Sequence, residues 1–144
     1  MILVSACLAG INCSWDGGNR LNKKMKELVD KKRAIAICPE LLGGRTVPRL
    51  KTEIKGGTGE DVLNGKAKVI DENGKDVTSE FIRGAYMSLD IVRKYNIREA
   101  VLKSKSPSCG VGKIYDGSFK GILSDGDGVA VALLKREKII CRDI

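Results

Sequence analysis

The chain has 144 residues, with 26 Lys and Arg against 18 Asp and Glu, and a formal net charge of +8. That length suits one ordinary domain with a real core, and no apolar run is long enough to cross a bilayer as a helix. Histidine is absent, which excludes His-based triads, His general bases and His-ligated zinc and leaves Cys, Ser, Asp, Glu, Lys, Tyr or a cofactor to carry any chemistry.

Aromatic residues make up only 4% of the chain, so the core must be built from Ile, Leu, Val and Ala, as in buried parallel strands flanked by helices. The segment Met1-Ile2-Leu3-Val4-Ser5-Ala6-Cys7 lacks the basic start and long apolar stretch of a signal peptide and reads as a first strand. Gly10 and Asp16-Gly17-Gly18 then mark a loop, and Asn22 is placed to cap a helix to about Lys32, with Met25, Leu28 and Val29 on its inner face. Ala34-Ile35-Ala36-Ile37 is a buried second strand ending at Cys38-Pro39-Glu40. From Gly43 to Asp76 the texture suggests an irregular excursion with a small hairpin, its strand Lys66 to Asp71 followed by the turn Glu72-Asn73-Gly74-Lys75. A helix capped by Thr78 follows, with Phe81, Ile82, Ala85, Leu89 and Val92 at helical spacing. Ala100-Val101-Leu102 is a third strand, Ser104 to Gly128 a glycine-rich loop, Gly128 to about Arg136 a helix capped by Asp127, and Ile139-Ile140-Cys141 a fourth strand. This alternation predicts one α/β domain over residues 1–144, Rossmann-like and three-layered, with a mostly parallel sheet and ligands at the carboxyl ends of its strands.

Cysteine placement is the informative feature. Cys7 follows the first strand, Cys38 the second, and Cys109 lies in the loop after the third, so all three belong to one sheet edge although no local motif joins them. Each sits among turn-forming residues: Ser5-Ala6-Cys7-Leu8-Ala9-Gly10, Ile37-Cys38-Pro39-Glu40, and Ser106-Pro107-Ser108-Cys109-Gly110. Three thiolates can hold a 4Fe–4S cluster by three irons and leave the fourth open, the mark of a catalytic rather than a structural metal site. Arg49, Lys103 and Lys105 are cations suited to offset its charge. Cys13 can be a ligand, a neighbouring thiol or filler, and Cys141, beside two isoleucines, reads as core.

These three segments, with Asp16-Gly17-Gly18, Val47-Pro48-Arg49, Lys103, Tyr115-Asp116-Gly117 and Asp127-Gly128, resemble the TudS-type thiouracil desulfurase family over Ser5 to Leu134. The resemblance implies an iron–sulfur enzyme that removes sulfur from thiolated nucleobases such as 2-thiouracil, giving uracil. It also implies that Cys7, Cys38 and Cys109 bind the 4Fe–4S cluster; a mechanism consistent with the residues is non-redox, with the sulfur taken up by the open iron. Trp15 stands where many members have Tyr, which keeps an aromatic surface.

Without histidine, proton transfer falls to another group. Glu40, two residues after a cluster cysteine, is the first choice as acid or base; its alternative is a loop carboxylate paired with Arg49. Ser106 and Ser108 are candidates to hydrogen-bond the base or a developing oxyanion, or else to shape the turn at Pro107. Lys103 is a substrate anchor or a counter-charge. Asp16 and Asp116 read as turn residues, and Trp15 and Tyr115 as stacking or packing surfaces.

The expected partner is a small thiolated base, with thiolated RNA as an extension of the positive charge, and no membrane. The lysines Lys23, Lys24, Lys26, Lys31 and Lys32 read first as a solvated helix face. Five cysteines in a cytoplasmic chain are expected as thiols or ligands rather than disulfides. Two alternatives compete: a closed structural zinc site using Cys7, Cys13, Cys38 and Cys109, which lacks the usual C-x-x-C pairs, and a basic nucleic-acid-binding module, which lacks interleaved aromatics.

Overall fold

The computed structural model describes residues 1–144. In chain order it contains β1 (Ile2–Ser5), a 3₁₀ turn (Ala6–Ala9), α1 (Lys23–Asp30), β2 (Ala34–Ile37), α2 (Pro39–Leu42), β3 (Thr52–Lys55), α3 (Gly59–Leu63), β4 (Lys68–Asp71), α4 (Thr78–Lys94), β5 (Glu99–Leu102), β6 (Lys113–Tyr115), β7 (Leu123–Asp125), α5 (Val129–Arg136) and β8 (Ile140–Asp143).

The four strands of the main sheet pair in parallel in the order β2-β1-β5-β8. Side chains of the central β1 and β5 alternate between two cores, as the period of a strand requires. Leu3, Ala100 and Leu102 enter a large cluster with Phe81 and Leu89 of α4 and Val131 and Leu134 of α5. Val4 and Val101 point the other way, into a smaller cluster with Met25 of α1 and Ala34. Both faces of the sheet are therefore covered by helices, the α/β arrangement that the alternation predicts. Each fully buried Leu or Phe contributes about 1.5–3 kcal/mol, so these clusters dominate the stability of the fold.

Local chemistry explains the element ends. Asn22 caps α1, its Oδ1 accepting from the amides of Lys24 and Met25 at 3.1 and 3.2 Å. Lys26 pairs with Asp30 and Lys31 with Glu27, so part of the lysine-rich face is an ordinary salt-bridged helix surface. No helix is long and apolar enough to cross a membrane.

The structure corrects several boundaries. Strand β4 pairs antiparallel with β3, which precedes it, and not with a strand after the Glu72–Lys75 turn; beyond that turn only Ile70 and Asp76 form a bridge. Helix α3, with a capping box between Thr58 and Asp61, lies inside the excursion. Thr78 is the first residue of α4 rather than its cap: Asp76 Oδ1 accepts the Thr78 amide at 2.9 Å, which leaves the Thr78 hydroxyl to accept from Val69 N at 3.0 Å. Asp127 does not cap α5; Gly128 takes that position and Asp127 Oδ1 accepts from Gly112 N at 2.8 Å. The loop after β5 also contains the β6–β7 hairpin.

Two glycines set α2 directly on α4. A methyl group at Gly84 would lie 1.9 Å from the Pro39 carbonyl oxygen, and one at Gly43 1.8 Å from that of Glu80. Gly84→Ala is expected to cost about 1–3 kcal/mol of stability through overpacking, read as a lower urea midpoint. An unchanged midpoint would contradict the contact.

Candidate active site

The strand order reverses direction beside β1. From β1 the chain moves outward to β2, then crosses back through α4 to β5 on the other flank of β1. Loops leaving β1 and β5 therefore diverge and open a crevice at the carboxyl edge of the sheet, the usual ligand position in such folds. Cys7 lies in the 3₁₀ turn after β1, and Cys38 directly follows β2 at the cap position of α2, with Pro39 at the first helical position. Gly10, at φ +86°, ends the 3₁₀ turn in a conformation that favours glycine.

The Cys109 loop is held by α5. The amides of Val129 and Ala130 donate to the carbonyls of Pro107 and Ser108 at 2.7 and 3.0 Å, which satisfies free donors of the helix start. Close approach requires glycine at 128, where a methyl group would lie 2.5 Å from the Ser108 carbonyl carbon. Within the loop, Ser106 Oγ accepts from Ser108 N and Cys109 N at 3.1 and 2.9 Å, fixing the turn around Pro107.

The fold brings the sequence-distant thiols together. Cys13, buried after the loop returns, lies within hydrogen-bonding reach of both Cys7 and Cys38, with its single S–H able to serve either. That hydrogen bond is the main reason Cys7 is lowered from its ordinary value, with burial and the nearby Cys38 opposing and Lys103 assisting. Cys38 is lowered to about 7, chiefly by Cys13 against burial, with help from the Leu41 amide and Arg49. Cys13 itself is pushed up because hydrogen bonds to Cys38 and Cys7 retain its proton. Cys109 is raised to about 12 by burial, with the hydroxyls of Ser5 and Ser108 pulling the other way. Cys141 stands apart, packed against the main core and raised to about 11 by burial.

Glu40 is engaged at both oxygens. Its Oε1 accepts from Arg49 Nε at 3.1 Å in a pair whose side chains are 13% and 5% exposed, and its Oε2 accepts from Ser108 Oγ at 3.0 Å. Ser106 Oγ is 3.0 Å from Ser108 Oγ, which makes a hydrogen-bonded row from Ser106 through Ser108 to Glu40. Lys103 Nζ lies 3.2 Å from Ser104 Oγ, and Lys105 is exposed. Asp16 Oδ1 accepts from Gly18 N, and Asp116 Oδ1 from Ser118 N, each at 2.9 Å. The exposed Trp15 carries the Lys51 ammonium 4.5 Å from its ring centroid.

One cavity of about 520 Å³ is lined by Cys7, Cys13, Cys38 and Cys109, by Glu40, Arg49, Lys103, Lys105, Ser106 and Ser108, and by Trp15, Tyr115 and Phe119; Asp16, Asp116 and Cys141 lie outside it. Its other polar lining residues include Ser5 and Glu53, to which the sequence assigned no role. Ser5, at the end of β1, accepts from Lys103 N at 2.9 Å and so ties β1 to the chain leaving β5. Glu53 lies on β3, only 7% exposed. A carboxylate flanked by the strand-forming residues Thr52 and Ile54 was the one available signal for it.

The thiol environments predict a reactivity order in the metal-free protein. Iodoacetamide should label Cys38 ahead of Cys109 and Cys141, with a rate rising to half-maximum near pH 7, as read by peptide mass spectrometry. Faster labelling of Cys109 would contradict the arrangement.

Comparison with known proteins agrees with this geometry. The sequence profile of the 2-thiouracil desulfurase family matches residues 2–142. An uncharacterized protein of Bacillus subtilis (strain 168), YbbK, is 50% identical over 136 residues, which cover 94% of this chain and 90% of that one. The solved structure of a 4Fe–4S-dependent thiouracil desulfidase, TudS, superposes with a TM-score of 0.85 at 40% identity, covering 99% of this chain and 89% of that one. The chain belongs to the 2-thiouracil desulfurase family.

Proposed function

We propose that residues 1–144 act as a single desulfurase-like domain that converts a thiolated nucleobase such as 2-thiouracil to its oxo form, with a 4Fe–4S cluster held by Cys7, Cys38 and Cys109. The observation that carries this reading is the gathering of thiols from three separate strand ends onto one cavity at the sheet's reversal point. The 4Fe–4S dependence of the TudS relative supports the cofactor.

The donor set fits such a group. It consists of thiols, with Lys103 beside Cys7 and Arg49 beside Cys38 to offset negative charge. No three His, Cys, Asp or Glu side chains converge to hold a single metal ion. A cubane binds each cysteine through a different iron, so its ligands surround a volume rather than a point. A closed zinc site needs the opposite arrangement.

When bound by three cysteines, the cluster supplies an iron without a protein ligand, a Lewis-acid position for sulfur. The overall change is a hydrolysis: the oxygen of water replaces the thiocarbonyl sulfur, sulfide and uracil leave, and no electrons are transferred. The chain's own residues handle the proton. Glu40 Oε2 is the acceptor at the end of the serine row, and the Ser108 hydroxyl is the group that passes a proton to it. Arg49 holds the Glu40 carboxylate in place through Oε1. Ser106 is fixed by two backbone amides and orients Ser108. Lys103 supplies positive charge at the Cys7 side. Five unpaired cysteines fit the reducing cytoplasm as the site of the reaction.

Anaerobic reconstitution with iron and sulfide should give a brown protein with about four irons per chain that releases uracil and sulfide from 2-thiouracil. A colourless protein that binds zinc instead would overturn the reading. Glu40→Ala would strand the buried Arg49 guanidinium, so the sharper variant is Glu40→Gln. It should keep full iron content and lose about 10²-fold or more in kcat; undiminished turnover would remove Glu40 from proton transfer.

A further inference from the structure

Glu53 lies on β3 between Thr52 and Ile54, and all three are buried. One of its oxygens has a structural task. Oε1 accepts from the amides of Gly117 and Phe119 at 2.9 and 3.1 Å, which anchors the tip of the β6–β7 hairpin against β3. The tip lies close: a methyl group at Gly117 would be 2.7 Å from the Ile54 carbonyl oxygen, and Phe119 adopts a left-handed φ of +59°. A glutamine would accept those two amides equally well. A carboxylate adds a second acceptor, Oε2, that the fold does not use.

Oε2 makes no hydrogen bond within the chain, yet it is not sealed in. The one fully enclosed side-chain nitrogen or oxygen without a partner is Arg45 Nε, so Oε2 retains some access, and Glu53 is part of the cavity lining. The other acidic groups there differ: both Glu40 oxygens are taken by Arg49 and Ser108, and Glu72, which accepts from Lys51 N at 3.0 Å, stands exposed to solvent, where water serves its second oxygen. An oxygen so placed takes its donor from whatever fills the cavity, water or a ligand. A carboxylate accepts hydrogen bonds and donates none, and charge-assisted bonds to it are about twice as strong as neutral ones.

Resting on the desulfurase reading of this cavity, we infer that Glu53 is its specificity-determining residue, with Oε2 accepting a ring N–H of the pyrimidine. The bond selects bases that present a ring N–H at that edge and rejects those whose ring nitrogen is substituted there. Anchored through its other oxygen, the same side chain holds the hairpin that carries Tyr115 and Phe119 along the cavity wall.

The test uses the anaerobically reconstituted protein and a ligand that is not turned over. Calorimetry measures the binding of uracil, 1-methyluracil and 3-methyluracil to the wild type and to Glu53→Gln, alongside 2-thiouracil turnover. In the wild type, one of the two methylated bases should bind about 10- to 100-fold more weakly than uracil. Glu53→Gln, which retains an acceptor for the hairpin amides, should weaken uracil by a similar factor, remove the discrimination between the two methyl isomers and keep its iron. Equal binding of all three bases by the wild type, or an unchanged pattern in Glu53→Gln, overturns the inference while turnover by the wild type leaves the desulfurase reading standing. Discrimination without turnover supports Glu53 and refutes desulfuration. Neither binding nor turnover refutes both. Should Glu53→Gln fail to fold, the comparison of methyl isomers in the wild type decides alone.

Discussion

The parallel pairing of β1 with β2 on one side and β5 on the other is the constraint on which the site depends. Because all three strands point the same way, the loops that follow them must emerge at one edge. Because the winding reverses at β1, those loops also separate and leave a crevice. Residues far apart in sequence meet there through backbone topology alone. The hydrophobic alternation that puts Leu3 into one core and Val4 into the other fixes the register and hence the heights of the loops. A slip of one residue in β1 would exchange the two faces.

Each loop is then held by backbone contact rather than by long side chains. The start of α5 binds the carbonyls preceding Cys109, the Gly43–Gly84 crossing seats α2 behind Cys38, and the 3₁₀ turn ended by Gly10 shapes the chain around Cys7. Positioning through amides and glycine contacts is stiff, and stiffness suits a site that must receive a preformed group with several ligands. The charges follow the same plan. Thiols that approach one another would resist ionisation, and the Cys13 hydrogen bond, Lys103 and Arg49 counter that resistance at Cys7 and Cys38. Cys109, enclosed by apolar atoms, gains hydroxyl partners but no comparable cation.

The main sheet was readable because its strands are short continuous apolar runs bounded by turn residues, and Ala34 to Ile37 shows this most clearly. The placement of Cys7, Cys38 and Cys109 at strand ends followed from that reading. What escaped was set by tertiary contact. Strand β3 carries Glu53 between Thr52 and Ile54 and so lacks an apolar signature, and the start of α5 is capped by carbonyls from a distant loop instead of by Asp127. Thr78 was legible as a hydroxyl at a helix start but not as a partner of Val69. The network from Ser106 through Ser108 to Glu40 joins loops after β5 and β2, and spacing along the chain carries no trace of it. Cys13 is the instructive case: six residues from Cys7, it is local in sequence, yet its contact with Cys38 comes only from the fold.

The central claim is that three thiolates, one from each strand end, hold the cluster. Iron and acid-labile sulfide should be counted after anaerobic reconstitution of five single Cys→Ser variants. Iron should be lost in Cys7→Ser, Cys38→Ser and Cys109→Ser and retained in Cys13→Ser and Cys141→Ser. Full iron content in any of the first three, or its loss in Cys141→Ser, would contradict that claim.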